Sequence, residues 1–256
     1  MEELSDRLRK AAASPLLPAC ALVLSLAWLT ALLEIWLPRS LMSSFVRTVM
    51  TFFHVKAGVI RYGTWINMGR TLLLLLTLPL PTSLFLLAFR LPKNGEQGKR
   101  LFKTGLTVLS VLLTAALLLA EAFLILEMIV ALALYKDYTV SLRFLPLFLL
   151  FLGIYILWLL YARSLKRVMN GWTRAMREQG PFDCPLFPII LSFAAILPAA
   201  FAAASAKFHP AARAAFALLA LFFLLWGLWL CVLRTAARKA SRKTEEHPNY
   251  MRLYKS

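Results

Sequence analysis

Three glutamates stand inside long apolar stretches of this sequence, and their carboxylates are the groups best placed to do chemistry there. Glu34 lies near the end of the first apolar stretch, while Glu121 and Glu127 lie within the third. A carboxylate in hydrocarbon is costly, so each one needs a cationic partner, a proton or water. Such groups serve proton or cation relays and sites for cationic substrates, but they also form structural ion pairs. The structural alternative pairs Glu34 and Glu127 with Arg39, Arg70 or Arg143.

The stretch that carries Glu121 and Glu127 organises the chain. Residues 104–135 hold only these two charges. A helix of that length exceeds the roughly 30 Å hydrocarbon core of a bilayer, so it can span a membrane with tilt. We expect Glu121 near mid-depth and Glu127 about 9 Å further along the helix axis. At 100° per residue the two carboxylates point about 120° apart, so one small ligand would not contact both.

The composition indicates a membrane protein. Of the 256 residues, 61% are hydrophobic and 16% are charged, with a mean hydropathy of +0.72. Soluble domains of this size are about half apolar and about a quarter charged. The excess apolar residues fall into runs of about 20, which predicts an all-α bundle of six transmembrane helices in a single membrane domain. The predicted spans are 15–37, 71–89, 104–135, 144–161, 185–206 and 214–233.

The segments between the spans contain amphipathic patterns. Polar residues recur at steps of three or four between 40 and 56, which favours an interfacial helix on the outer surface. An apolar stripe opposite basic residues predicts a cytoplasmic basic helix, and the stripe consists of Leu165, Met169, Trp172 and Met176. The other segments are predicted as a surface helix at 1–13, a polar turn at 90–103, a loop at 136–143, the basic helix at 163–177 and a basic tail at 234–256.

The distribution of positive charge predicts the orientation. Twenty of the 29 lysines and arginines lie in the two termini, in 90–103 and in 163–185, all of which a six-span topology places on one side. Positively charged loops stay in the cytoplasm, so we expect both termini inside. The short loops and this charge bias suit a bacterial inner membrane. The cysteines Cys20, Cys184 and Cys231 then fall on the reducing side, where thiols stay free.

Prolines interrupt the middle span of each half of the predicted bundle. Pro79 and Pro81 lie in the second span, and Pro198 lies in the fifth. Broken helices at matching places in two halves are typical of a transport site near the bilayer midplane. The alternative is structural, because membrane helices tolerate proline where neighbours satisfy the freed backbone groups. We therefore treat these prolines as candidate helix breaks.

Three hypotheses for function follow. The first is a transport component, either a small carrier or the membrane subunit of a larger transporter. The second is a non-catalytic scaffold that binds other proteins, with Ala195, Ala199 and Ala203 providing close helix packing. The third is a lipid-modifying enzyme at the outer surface, which needs Glu34, Glu127 or His54 to converge.

Sequence motifs favour a role other than catalysis. The chain has no HExxH, GxSxG or GxxxxGK[ST] motif, and its histidines have no spacing typical of a metal site. We therefore expect no enzyme activity, cofactor or metal. The expected partners are the bilayer itself, anionic lipid at the cytoplasmic face, and a protein subunit docked on 163–177 or the tail. No pattern indicates nucleic acid.

Overall fold

The computed structural model describes residues 14–37, 63–89, 91–130, 132–133, 138–178, 182–206 and 208–246, and every long element within these ranges is a helix. The helices are α1 (Leu16–Trp36), α2 (Gly63–Leu76), α3 (Pro79–Phe89), α4 (Leu91–Val130), α5 (Tyr138–Glu178), α6 (Phe187–Ala194), α7 (Ile196–Ala204) and α8 (Pro210–Glu246). The predicted surface helix 1–13, the interfacial helix 40–56 and the end of the tail lie outside the described residues.

Six helical stretches of the described chain are long and apolar enough to cross a membrane. They are Leu16–Trp36, Asn67–Ala88, Gln97–Val130, Phe148–Ala175, Phe187–Ala204 and Pro210–Lys239. The second stretch combines α2 with α3, and the fifth combines α6 with α7. The all-helical class and the number of membrane-length helices are therefore confirmed.

The polar turn predicted at 90–103 is wrong, because α4 is helical from Leu91. A proline and a glycine within this segment are both compatible with a helix. Pro92 lies in the first turn, where its missing N–H removes no helical hydrogen bond. Gly98 is needed for close packing, since a Cβ on it would lie 2.9 Å from Cγ of Leu87 in α3.

The predicted separation of the fourth span from a basic helix is also wrong. A single helix, α5, runs from Tyr138 to Glu178, so it covers most of the predicted loop 136–143 and all of 163–177. The sequence changes from apolar to basic near residue 163, which changes the surface of the helix. No proline or other helix-breaking residue accompanies this change, so the helix continues. Likewise α8 continues to Glu246, through the first half of the predicted tail, because alanine, arginine and lysine are strong helix formers.

The second and fifth spans are each interrupted near their middles. A turn at Thr77 and Leu78 separates α2 from α3, directly before Pro79. A single residue, Ala195, separates α6 from α7, three residues before Pro198. Each break is thus beside a proline whose missing N–H leaves a carbonyl of the preceding turn without its usual helical donor.

The six spans form a closed ring in which each packs against its neighbours in sequence. The strongest packing is between α8 and α1, which brings the last span against the first, followed by that between α3 and α4. Gly98 and Gly105 allow α4 to approach α3 closely. A Cβ on Gly105 would lie 2.8 Å from Cγ of Leu80.

The main hydrophobic core lies at one end of this ring, which we call the basic end. It is defined by the start of α1, the ends of α3, α5 and α8 and the starts of α4 and α6. Residues from all six spans are buried together there, including Leu17, Leu87, Phe102, Trp172, Ile189 and Trp229. Along α5, by contrast, no described side chain from 145 to 160 is buried. The opposite end is therefore packed more loosely.

Candidate functional site

An open groove lies beside the break in the second span. Its volume is about 350 Å³, and its walls come from α1, α2 and α4. The groove is lined by Ala31, Glu34, Ile35, Arg70, Leu73, Leu74, Thr77 and Leu112. Most of these side chains are apolar, so the two charged residues stand in a hydrophobic setting.

The charged residues of the groove form an ion pair between α1 and α2. Nη2 of Arg70 donates a hydrogen bond to Oε2 of Glu34 over 2.9 Å. Their side chains are only 15% and 7% exposed, respectively, so bulk water screens the pair weakly. Both residues also make further contacts. Arg70 is one of the three arginines that the sequence suggested as a structural partner for Glu34.

The break between α2 and α3 reorganises backbone hydrogen bonds around two prolines. In an unbroken helix the carbonyls of Leu75 and Thr77 would accept from the nitrogens of Pro79 and Pro81, which carry no hydrogen. The N–H of Leu78 instead donates to Leu75 over 3.0 Å, and the N–H of Leu80 donates to Thr77 over 3.0 Å. Tighter i to i+3 bonds therefore replace the missing ones.

A third carbonyl at the break is contacted from the first span. The carbonyl of Leu74 accepts the backbone N–H of Thr77 over 3.0 Å and its hydroxyl over 2.7 Å. It also accepts the indole N–H of Trp28 over 3.1 Å. Trp28 and Glu34 on α1 thus bind Leu74 and Arg70 on α2 through two polar contacts. The indole contact was not predicted, because nothing in an apolar span marks one tryptophan as a donor.

The second break has a polar contact nearby, formed by a buried hydroxyl. Ser192 in α6 donates to the carbonyl of Pro188 over 2.6 Å, and its oxygen lies 2.9 Å from the hydroxyl of Tyr161 in α5. Tyr161 also has a side-chain hydrogen bond with Trp226 in α8. These bonds join three neighbouring spans inside the core. A buried polar network of this kind fixes how the helices fit together.

Glu121 and Glu127 lie outside the groove. Both are partly buried on α4, and within the described residues neither forms a hydrogen bond or an ion pair. The apolar stretch of this helix runs over Gln97–Val130, whose middle is near residue 114. Glu121 is about seven residues, or about 11 Å, beyond that middle along the helix axis, and its depth in a bilayer stays a prediction. The structure brings Glu34 together with Arg70, and it does not bring Glu34 together with the other two carboxylates at this groove.

The apolar stripe of segment 163–177 is buried inside the protein. Leu165, Met169 and Trp172 are almost fully inaccessible, and the Trp172 ring packs edge-on against Trp229 of α8 at 5.3 Å. The described basic side chains of this segment are not buried, and Nζ of Lys166 donates to the hydroxyl of Thr107 over 2.9 Å. The stripe is therefore a contact with the rest of the bundle, and only the basic face is available to lipid or a partner.

All three cysteines are free thiols. Cys184 lies in the connection between α5 and α6, and burial raises its pKa to about 12, although the nearby charge of Arg234 acts in the opposite direction. A protonated, buried thiol is a poor nucleophile and a poor metal ligand. Within the described part of the chain, no group of three or more histidines, cysteines or carboxylates is placed to hold a metal ion.

These features define the class of protein. It is an all-helical bundle whose six long apolar helices are compatible with a multi-pass membrane protein. Comparisons with protein-family models, with curated proteins and with solved structures give no match.

Proposed function

We propose that this protein is a transport component of a membrane, in which α2 moves against the rest of the bundle to give a substrate access to the groove. The observation that carries the proposal is the break at Thr77 and Leu78, in the middle of a span and beside an ion pair. Transporters place substrate sites at discontinuous helices of this kind. The proposal requires no catalytic step.

The two halves of the second span differ in how firmly they are packed. In α3, Leu84 and Leu87 are buried against the core. In α2, no described side chain from 67 to 76 is buried, and Leu72 is 62% exposed. A half-helix with few buried contacts opens at a lower free-energy cost than a well-packed one. The turn between them is thus a natural hinge, with α2 as the mobile part.

Two polar contacts hold α2 against α1 in the observed arrangement. These are the ion pair between Arg70 and Glu34 and the hydrogen bond from Trp28 to Leu74. A substrate that binds the charged pair would weaken the first contact and favour a different position of α2. A ligand shifts such an equilibrium only by the difference between its affinities for the two states. The ion pair is therefore the contact through which substrate binding would change the position of α2.

Electron paramagnetic resonance distance measurements in lipid nanodiscs would test the proposed motion. Spin labels on exposed positions Leu72 and Leu26 report on α2 against α1, and labels on Thr82 and Val111 report on α3 against α4. We expect two distances or one broad distribution for the first pair, and a single narrow distance for the second. The labels are introduced after Cys20, Cys184 and Cys231 have been replaced by alanine.

The double variant Pro79→Ala, Pro81→Ala provides the matched comparison. It restores the two missing N–H donors, so the second span can become one continuous helix. We expect the distribution between positions 72 and 26 to narrow in this variant. A single narrow distance for that pair in the unmodified protein, unchanged by the double substitution, would count against a moving α2.

We further propose that the basic end faces the cytoplasm of a bacterial cell and contacts anionic lipid. The side chains described at this end include ten basic ones and one carboxylate, Asp183. The basic ones are Lys99, Arg100, Lys103, Arg163, Lys166, Arg167, Arg174, Arg234, Arg238 and Lys239. Each basic residue near an anionic surface contributes about 1 kcal/mol of attraction. The same face would suit an acidic protein subunit.

A scaffold is the second candidate, and an exposed stripe on α6 and α7 favours it. Leu197 is 74% exposed and Phe201 is 80% exposed, with Ile190 at 59%. A neighbouring membrane protein could cover this stripe as well as lipid does. Purification in a mild detergent distinguishes the two candidates, because a scaffold should retain a stoichiometric partner and a self-sufficient carrier should not.

A further inference from the structure

We propose that the interface between α4 and α5 at the basic end binds the phosphate of one anionic phospholipid, with Lys166 as its central ligand. We call this place the α4–α5 site, and it consists of Arg100, Thr104 and Thr107 on α4 and Arg163 and Lys166 on α5. The site rests on the proposed contact of the basic end with anionic lipid, within which it gives one lipid molecule a fixed position.

Lys166 reaches from α5 to α4 at this site. Its Nζ donates to the hydroxyl of Thr107 over 2.9 Å, and that hydroxyl donates to the carbonyl of Lys103 over 2.8 Å. Among the described residues, Thr107 is the one hydrogen-bond partner of the Lys166 ammonium. An ammonium has three N–H donors, so it can bind further acceptors. A phosphate oxygen beside Lys166 would accept a charge-assisted hydrogen bond and supply the negative charge that a hydroxyl lacks.

Asp183, the one carboxylate described at the basic end, belongs to a segment that packs on another face of α5. It follows Phe182, whose ring lies 3.0 Å from the position of a Cβ on Gly171 of α5. Gly171 is five residues from Lys166, so the two lie about 140° apart around the helix. The segment that carries Asp183 is therefore turned away from the face that Lys166 presents to α4.

The contact between Thr107 and Lys166 also aligns the polar boundaries of the two helices. Charged residues are absent from 104–120 in α4 and from 144–162 in α5. Because Thr107 contacts Lys166, the basic ends of these two uncharged stretches lie at about the same level. The two arginines of the site are exposed and lie just beyond that level. Basic pockets between membrane helices on the cytoplasmic side are typical sites for the headgroups of anionic lipids.

Exposed apolar side chains continue from the site along both helices. On α4, Val111 and Leu118 are 61% and 58% exposed, and their spacing places them on the same face as Thr107. On α5, Leu159 is 40% exposed and is two helical turns from Lys166 on the same face. Acyl chains would lie against these side chains while the phosphate binds Lys166. A free phosphate ion would gain nothing from this apolar surface, so the site favours a lipid.

Native mass spectrometry of the full chain in detergent would test the site. The probes are dioleoyl phosphatidylglycerol, which is anionic, and dioleoyl phosphatidylcholine, which has the same chains and no net charge. We expect roughly fivefold higher occupancy of the first bound molecule with the anionic lipid. Equal occupancy of the two lipids, or displacement of phosphatidylglycerol by an equal concentration of inorganic phosphate, would overturn the proposal.

Two lysines of the basic end provide a matched comparison. Lys166→Gln and Lys239→Gln each remove one positive charge, and Lys239 lies at an exposed position on α8. We expect the loss of bound phosphatidylglycerol to be roughly fivefold larger for Lys166→Gln. Equal losses would show that the attraction is spread over the whole basic end, and would refute the α4–α5 site.

The variant Lys166→Arg distinguishes the loss of a charge from a disturbance of the interface. It keeps the positive charge next to Thr107, so it should retain most of the bound phosphatidylglycerol. A loss as large as that of Lys166→Gln would show that the charge of this residue does not bind the lipid, and would also refute the site.

These outcomes separate the site from the proposed function. If phosphatidylglycerol is preferred but the two glutamine variants behave alike, the site fails and the general contact of the basic end with anionic lipid stands. If the preference depends on Lys166 but an impermeant reagent reaches the basic end in intact cells, the site stands and the cytoplasmic orientation fails. Neither outcome depends on whether α2 moves.

Discussion

At the scale of single residues, the feature of most consequence is the pairing of Glu34 with Arg70. Neither charge is stable alone in an apolar environment, and each is at least 85% shielded here. The pair joins two helices that are otherwise in limited contact. The same interaction can thus stabilise one arrangement of α2 and also provide the contact that a ligand disrupts.

The two singly neutralised variants should be much less stable than the doubly neutralised one. Glu34→Gln or Arg70→Gln removes the 2.9 Å charge–charge contact from a buried residue that stays charged, and we expect a cost of about 3 kcal/mol in the free energy of unfolding. The double variant leaves none, so we expect a loss of less than about 1 kcal/mol. Unfolding in mixed micelles, followed by circular dichroism, gives the coupling energy from the four proteins. Additive losses would show that the pair contributes no coupling.

At the scale of helices, proline and glycine have opposite roles in this bundle. The prolines of the second span remove backbone donors and divide it into α2 and α3. The glycines of α4 leave this helix unbroken, and they allow it to approach α3 closely. Gly98 and Gly105 are seven residues apart, and they face Leu87 and Leu80, which are also seven apart in the antiparallel helix. This regular spacing defines the register of the two helices.

A methyl group at Gly105 should destabilise the protein, whereas one at Gly153 should not. The Cβ of Gly105→Ala would lie 2.8 Å from Cγ of Leu80 and 3.0 Å from its backbone nitrogen, so the helices must separate. Overpacking of this kind costs about 1–3 kcal/mol. Gly153 has no atom within 4 Å of its Cβ position, so Gly153→Ala should gain up to about 1 kcal/mol from helix propensity.

Thermal unfolding of both alanine variants in the same detergent makes the comparison direct. A midpoint for Gly105→Ala at or above that of the unmodified protein would show that α3 and α4 are not in close contact. The Gly153→Ala variant controls for the general effect of replacing a helical glycine.

At the scale of the whole molecule, the packing is concentrated at the basic end. The long helices α5 and α8 bring their apolar stripes into one core there, and their basic side chains surround it. The opposite end has fewer buried side chains along α5, and it is the end toward which α2 extends from its hinge. Because the well-packed basic end is the more stable one, the opposite end can change conformation at a lower free-energy cost. The proposed movement of α2 is a change of this kind.

The orientation of this bundle can be tested with single cysteines in a cysteine-free background. Ala206→Cys lies between α7 and α8, and Lys239→Cys lies near the basic end of α8. We expect a membrane-impermeant maleimide to label position 206 in intact cells and position 239 only after permeabilisation. The reverse labelling pattern would show that the protein has the opposite orientation in the membrane. Labelling of both positions in intact cells would contradict a single membrane crossing by α8 between them.

The number of membrane-length helices and the two breaks could be predicted from local features. A run of about 20 apolar residues is long enough to cross a bilayer wherever it occurs in the chain. A bias of lysine and arginine predicts which loops stay in the cytoplasm. A proline has no N–H to donate, so it removes a helical hydrogen bond whatever surrounds it. The turn at 90–103 and the division of α5 were wrongly predicted because these segments are stabilised as helices by contacts with other helices, which local sequence does not show. Polar and basic sequence resembles a loop locally, but here the packing of α3 on α4 and of Trp172 on Trp229 stabilises continuous helices.

The sequence alone therefore determined which segments are apolar helices, where two of them break, and which buried carboxylates need a partner. Only the tertiary structure decided that Glu34 binds Arg70, that Trp28 contacts the break, and that Glu121 stands apart. Those contacts depend on how each helix is rotated and aligned against its neighbours. In spans that are apolar on every face, the usual contrast between a buried and an exposed side is absent. Rotation and register then follow from close packing and a few polar contacts between helices.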